Sequence, residues 1–197
     1  MSKIKIDPNN KTLRLVLSAI MIAVGTVLSI FKFNGLWVYG GGVTFCAMLP
    51  LVMISFIYGT RWGLFTAFVF SLVQMVLGVH NVLYGTNIGM MIVIALLDYI
   101  VAYTVIGLAG MFKGKLNNRI IEIVIGTVIA LSLRLLCHFI TGWMIWDALW
   151  PNELGMTSAV YSIAYNGSYM VPEIIITSVV GVLLESTLHF SHWADKE

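Results

Sequence analysis

The sequence predicts an all-α membrane protein of six transmembrane helices, with both termini in the cytoplasm. Three observations predict it. Of 197 residues, 59% are apolar and only 10% are charged, against roughly 25% charged in soluble domains. Mean hydropathy is +0.95, and a soluble core of this size cannot hide so much apolar surface. The basic residues also cluster in alternate connecting segments. Together these exclude a soluble globular domain, a disordered chain and a disulfide scaffold. The net charge of +2 is too small and too scattered for a nucleic-acid binder. Cys46 and Cys137 lie inside apolar runs and read as small hydrophobes.

Hydropathy places helices at 13–31, 43–58, 62–78, 89–112, 119–147 and 158–187, forming one integral membrane domain over 1–197. Six spans of about 20 residues fit this length with short loops. The basic, polar stretch before the first span is followed by no cleavage pattern, so that span is expected to be retained. The second run is short and crowded by Pro50, which marks it as tilted or broken. Lys3, Lys5, Lys11 and Arg14 precede the first span. Arg61 separates the second and third, and Lys113, Lys115 and Arg119 separate the fourth and fifth. Loops 79–88 and 148–157 contain no Lys or Arg, and loop 32–42 has only Lys32. The positive-inside rule then sets both termini in the cytoplasm, and Trp37, Trp143, Trp146 and Trp150 fall near the outer ends, where aromatic belts form. No repeat marks two inverted halves.

The sequence has no GxxxxGK[ST], HExxH or GxSxG and no metal-type Cys/His cluster, so no ATPase site, cofactor or metal is expected. The chemistry lies in polar residues inside the spans. A charge in the hydrocarbon core costs at least about 2.5–3.5 kcal/mol on insertion scales. Asp98, Arg134 and Glu173 bear that cost, accompanied by His138 and Asn166. At 1.5 Å per residue, Asp98, His138 and Asn166 lie roughly 12–14 Å below the outer surface, and Arg134 and Glu173 roughly 20–22 Å. Two polar layers result, and in the lower one Arg134 and Glu173 can neutralise each other. Helical phase supports convergence. Ser158, Ser162, Asn166, Tyr169 and Glu173 share a face of the sixth helix. Arg134, His138, Thr141, Gly142 and Ile145 form a stripe on the fifth, flanked by Trp146, with Trp143 opposite. Gly142 removes bulk beside His138, so a ligand can approach the backbone there. These residues describe a polar, aromatic-edged pocket in the outer half of a helical bundle.

Each residue also has a plain structural reading. Arg134 and Glu173 can be an ion pair only, His138 an interhelical hydrogen bond, Asn166 helix–helix glue and Trp146 a belt residue. Asp98 has no partner at its own level except His138, which favours ligand contact.

The stretch Arg134-Leu-Leu-Cys-His138-Phe-Ile-Thr-Gly142-Trp-Met-Ile-Trp146, followed by Tyr161-Ser-Ile-Ala-Tyr-Asn166-Gly-Ser168, resembles the thiamine-specific substrate-binding subunits (S-components) of energy-coupling factor (ECF) transporters. So do the segments Leu97 to Gly110, Gly41 to Pro50 and Arg61 to Leu64, and the similarity covers nearly the whole chain. The resemblance implies a six-helix subunit of the bacterial plasma membrane. It would bind a vitamin from outside and associate with a transmembrane coupling subunit and two cytosolic ATPases. It implies ligand roles for Asp98, Arg134, His138, Gly142, Trp146, Tyr161 and Asn166. Trp37 corresponds to an aromatic of the first outer loop, and Tyr84 is the candidate pocket tyrosine of the 79–97 region. Glu173 joins this set as the partner of Arg134 or a ligand contact. Ala19 and Ala23 match the family's small-residue docking motif for the coupling subunit, a spacing that alone reads equally as generic helix packing.

The chemistry fits thiamine. Its thiazolium cation suits a carboxylate and an aromatic face, which Asp98 and Trp146 supply. Its aminopyrimidine carries acceptors and an amine donor, which His138 and Asn166 answer. Another small aromatic vitamin such as pyridoxine also suits a site of this type. An intramembrane enzyme using Asp98, His138 and Glu173 is a third reading, disfavoured by the missing nucleophile and metal motifs.

Overall fold

The structure, a computed structural model, describes residue 7, residues 10–34 and residues 41–194. Trp37, Lys3 and Lys5 lie outside the described residues. Helix α1 (Lys11–Ile30) is capped by the Asn10 side chain, which accepts from Leu13 N at 2.9 Å, satisfying a backbone donor that the first turn leaves open. Only Ser18, Gly25 and Ser29 of this helix are buried, so most of its apolar surface faces outward, as in a helix bathed by lipid. Next comes a short hairpin. β1 (Lys32–Asn34) pairs antiparallel with β2 (Gly42–Thr44), Lys32 opposite Thr44.

The hairpin corrects the expected second span. Residues 43 and 44 belong to β2, and helix α2 runs only over Leu49–Tyr58. Cys46 turns the chain with φ +57°, a left-handed conformation that a helix cannot continue through. Pro50 then occupies the first turn, where its missing N–H costs nothing. Ten residues reach about 15 Å, half the hydrocarbon thickness. Every residue of α2 except Tyr58 is buried, which explains its apolar character on all sides. It is a central strut, not a lipid-facing span. Its Ser55 hydroxyl donates to Gly107 O at 2.6 Å and accepts from Gly110 N at 2.8 Å, tying it to the fourth span.

Among the described residues, five helices are long and apolar enough to cross a bilayer: α1, α3 (Thr60–Leu77), α5 (Ile88–Phe112), α6 (Arg119–Leu149) and α7 (Ser158–Leu188), with a short α4 (Val79–Val82) between α3 and α5. Their ends fall within two residues of those expected. Three irregularities matter. The middle of α5 widens to a π-helical segment over Ala95–Val101 and then tightens to a 3-10 segment over Val105–Phe112. In α6, Gly142–Trp146 is π-helical. In α7, Pro172 interrupts the hydrogen-bond ladder one residue before Glu173.

Candidate ligand pocket

Between α5, α6, α7 and the hairpin lies a cavity of about 500 Å³, a size usual for small-molecule sites. Its upper wall is organised around Asp98, which is only 6% exposed. Asp98 Oδ1 receives His138 Nδ1 at 3.0 Å and also the Thr141 hydroxyl, and Oδ2 receives Trp146 Nε1 at 2.8 Å. The single expected partner, His138, is therefore joined by two more. Asp98 is a wired carboxylate, not one held for ligand alone. Since an ionised carboxylate can only accept, the contact places the histidine proton on Nδ1. His138 Nε2 is buried with no hydrogen-bond partner, which leaves one ring nitrogen unanswered in the cavity wall.

Asn166 is held at the same level. Its Nδ2 donates to His138 O at 3.2 Å and Ser162 O at 3.0 Å, and its Oδ1 accepts from Tyr169 OH at 2.8 Å. It both links α6 to α7 and borders the cavity. In the lower layer Arg134 Nη1 lies 3.4 Å from Glu173 Oε2. Arg134 Nη2 donates to Tyr103 OH at 3.5 Å, with the guanidinium carbon 4.8 Å from the Tyr103 ring centroid. Glu173 Oε1 accepts from the Thr44 hydroxyl. The expected neutralisation is thus present. It also fastens β2 to the floor of the pocket.

Gly142 borders the cavity, and its small size also serves helix packing. A Cβ there would meet Ser162 Oγ at 2.2 Å and Asn166 Nδ2 at 3.1 Å. The space where a Gly142 side chain would stand is filled by α7, so the glycine lets two helices close at the cavity wall. Gly41 plays a similar part on the hairpin. With φ +81°, it lies so close to Tyr169 that a Cβ would sit 2.3 Å from the ring.

Tyr161 and Tyr84 also border the cavity. Tyr84 packs edge-on against Trp150 at 4.8 Å, and Trp150 stacks on Trp146 at 5.5 Å and 14°. An aromatic row thus runs from Asp98 to the outer surface, where Tyr84 and Trp150 are half exposed. Trp143 is turned away and stacks on Phe139. Ala19 and Ala23 are exposed on α1 and do not border the cavity.

Sequence reasoning missed Trp150 and Tyr99. Trp150 was assigned to the interfacial belt, although its i, i+4 spacing from Trp146 puts the two rings on one face. Tyr99 lines the cavity beside Asp98, donating to Gly78 O at 3.0 Å and accepting from Asn81 Nδ2 at 2.9 Å. Regular α-geometry separates consecutive residues by 100°. The wider π turn over Ala95–Val101 brings both toward one side.

Comparison with known proteins accords with this geometry. The pattern of the family described as "Thiamine transporter protein" matches residues 15–191. The thiamine transporter ThiT of Bacillus subtilis (strain 168) is 33% identical over 193 residues, covering 92% of this chain and 94% of that one. The fold is shared with the solved structure of ThiT from Listeria monocytogenes, with a TM-score of 0.73, 21% identity, and coverage of 93% of this chain and 99% of that one. With a matching pattern over most of its length and a full-length relative one-third identical, this chain belongs to the thiamine transporter protein family, a family of membrane transport proteins and not of enzymes.

Proposed function

We propose that the chain is the thiamine-capturing S-component of an ECF uptake transporter in the bacterial plasma membrane. In this reading it delivers the vitamin inward when joined to a transmembrane coupling subunit and two cytosolic ATPases. The observation that carries the ligand assignment is Asp98: a buried carboxylate on the wall of a cavity bordered by several aromatic rings, between an indole and an imidazole with a free nitrogen. A permanent cation is the natural guest for a buried negative charge beside π-faces. Asp98 supplies the counter-charge for the thiazolium, and Trp146 lends its ring. His138, holding its proton on Nδ1, offers Nε2 as acceptor to the exocyclic amine of the aminopyrimidine. Tyr161, Tyr84 and Asn166 frame the remainder, and the Arg134–Glu173 pair closes the floor as a neutral unit. Trp37, in the first outer loop, completes the aromatic set by family resemblance.

Release of a bound cation into the cell needs a change in these contacts, and the chain carries no nucleotide-binding motif to drive one. The energy is assigned to the partner ATPases, with Ala19 and Ala23 on the open face of α1 as the docking strip. The test is titration of the purified protein with thiamine and with pyridoxine while tryptophan emission is followed. Saturable quenching by thiamine that a several-fold excess of pyridoxine does not reverse supports the assignment. Equal displacement by pyridoxine removes it.

A further inference from the structure

A second polar cluster lies at the opposite end of the bundle from the pocket, where α1, α2 and α3 meet. The Arg14 guanidinium carbon stands 3.9 Å from the centroid of Trp62, whose Nε1 donates to Ser18 Oγ at 2.9 Å. Arg14 Nε is buried with no hydrogen-bond partner, and so is the hydroxyl of Tyr58, which lies within the electrostatic reach of Arg14. Arg61 precedes Trp62 and is exposed. The carboxylates at this end are engaged elsewhere. Glu122 accepts from Leu116 N and Arg119, Glu185 from Ser191, and Asp7 has an interaction of its own. Among the described residues, no carboxylate pairs with Arg14 or Arg61.

Two donors without acceptors, on Arg14 and Tyr58, thus meet at one membrane-surface corner, with Arg61 next to Trp62 in the chain and exposed beside them. Beside and below them the exposed side chains are apolar: Leu13 and Val16 on α1, Phe65 and Phe68 on α3. We propose that Arg14, Tyr58, Arg61 and Trp62 form a headgroup site for an anionic phospholipid of the inner leaflet, its acyl chains lying along α1 and α3. The chemistry follows from the parts. A guanidinium 3.9 Å from an indole centroid is held in place by the ring, and its planar fork of N–H donors suits two phosphate oxygens. A tryptophan with its N–H bonded belongs at the headgroup boundary. Basic residues next to the hydrocarbon are drawn to the negative inner surface. The apolar rows commit the occupant to a lipid, because a free phosphate has no use for them. On α1, Arg14 lies near the Ser18 face, whereas Ala19 and Ala23 point away from it and share a face with Val16, so the headgroup contacts lie clear of the proposed docking strip.

The test is native mass spectrometry of the purified full chain offered equal amounts of phosphatidylglycerol and phosphatidylcholine with identical acyl chains. Wild type should retain phosphatidylglycerol preferentially. Arg14→Gln with Arg61→Gln should lower that preference at least about fivefold, the worth of roughly one basic residue at an anionic surface, while Lys115→Gln leaves it intact. If the double variant melts early, Arg61→Gln alone, outside the Trp62 stack, should still lower the preference measurably. An unchanged preference in these variants, or an equal loss in Lys115→Gln, overturns the proposal. Displacement of the lipid by millimolar sn-glycerol 3-phosphate overturns it too, since the corner would then be a free-phosphate site.

Discussion

The indole nitrogen of Trp146 donates to Asp98 Oδ2 at 2.8 Å, and both residues sit in π-helical segments, one in α5 and one in α6. Each widened turn leaves backbone hydrogen bonds in a less regular ladder, a cost borne at two facing positions of the same pocket. Such turns recur at functional sites because they re-aim side chains that a regular helix would point elsewhere. Here they bring a carboxylate and an indole to the same point. The contact sets the outer wall of the cavity before any ligand arrives, which is pre-organisation in the physical sense.

Asp98→Asn should therefore act twice. It removes the charge proposed to face the cation, which should cost about 2–5 kcal/mol of thiamine binding. It also replaces one acceptor oxygen with an amide donor where Trp146, Thr141 and His138 all donate toward the carboxylate. At least one of those donors loses its acceptor, so the ligand-free protein should melt lower by the worth of about one hydrogen bond, 0.5–1.5 kcal/mol. Titration and thermal denaturation of one preparation check both. Wild-type affinity would show that Asp98 only braces the wall.

Gly142→Ala should destabilise the protein without touching any charged group. The new methyl lies 2.2 Å from Ser162 Oγ, so α6 and α7 must move apart at an expected cost of about 1–3 kcal/mol. Ser162→Ala removes that oxygen and its bond to Phe139 O at 2.8 Å, a loss of about 1 kcal/mol. The double variant should then be more stable than Gly142→Ala alone. Melting temperatures in one detergent decide it. Additive losses would mean the helices do not close through this contact.

The two polar layers were legible in the sequence because charges in apolar spans are few and depth follows from counting. His138 meets Asp98, and Arg134 meets Glu173, where a constant rise per residue predicted. The helix ends were legible for the same reason. What escaped was whatever departs from a constant turn. Tyr99 escaped through the π segment of α5. The true start of α2 escaped because the apolar run 43–48 looks the same whether it forms a strand and a tight turn or a helix. Gly142 was noticed for its size, but only the packing of Ser162 tells which neighbour occupies the space. Periodicity assumes one geometry throughout, and the pocket is built at the places that break it.

Arg134 and Glu173 should behave as a unit. Both are buried, and each single neutral replacement strands the other's charge, at about 3–5 kcal/mol. Arg134→Met with Glu173→Gln should recover much of that loss. Glu173→Gln keeps an oxygen for the Thr44 hydroxyl, so the hairpin should stay fastened in that variant. Coupled melting shifts across the cycle are expected. Purely additive shifts would show that the 3.4 Å contact carries no energy.

Replacing Ala19 and Ala23 together with Leu separates capture from delivery. Both alanines are exposed on α1, so larger side chains there meet no neighbour within the chain. The buried face of the same helix, at Ser18, Gly25 and Ser29, is untouched. Thiamine binding by the purified variant should stay near wild type, because no cavity wall changes. The two small residues one turn apart leave a shallow groove into which another helix can settle closely, and leucines fill it. Co-purification with the coupling subunit and vitamin uptake by cells should both fall. Normal uptake at normal protein levels would place the docking surface elsewhere on the bundle. A collapse of vitamin binding would instead mean that α1 transmits strain to the pocket through its contact between Ser29 and Gln74, which hydrogen-bond at 3.0 Å.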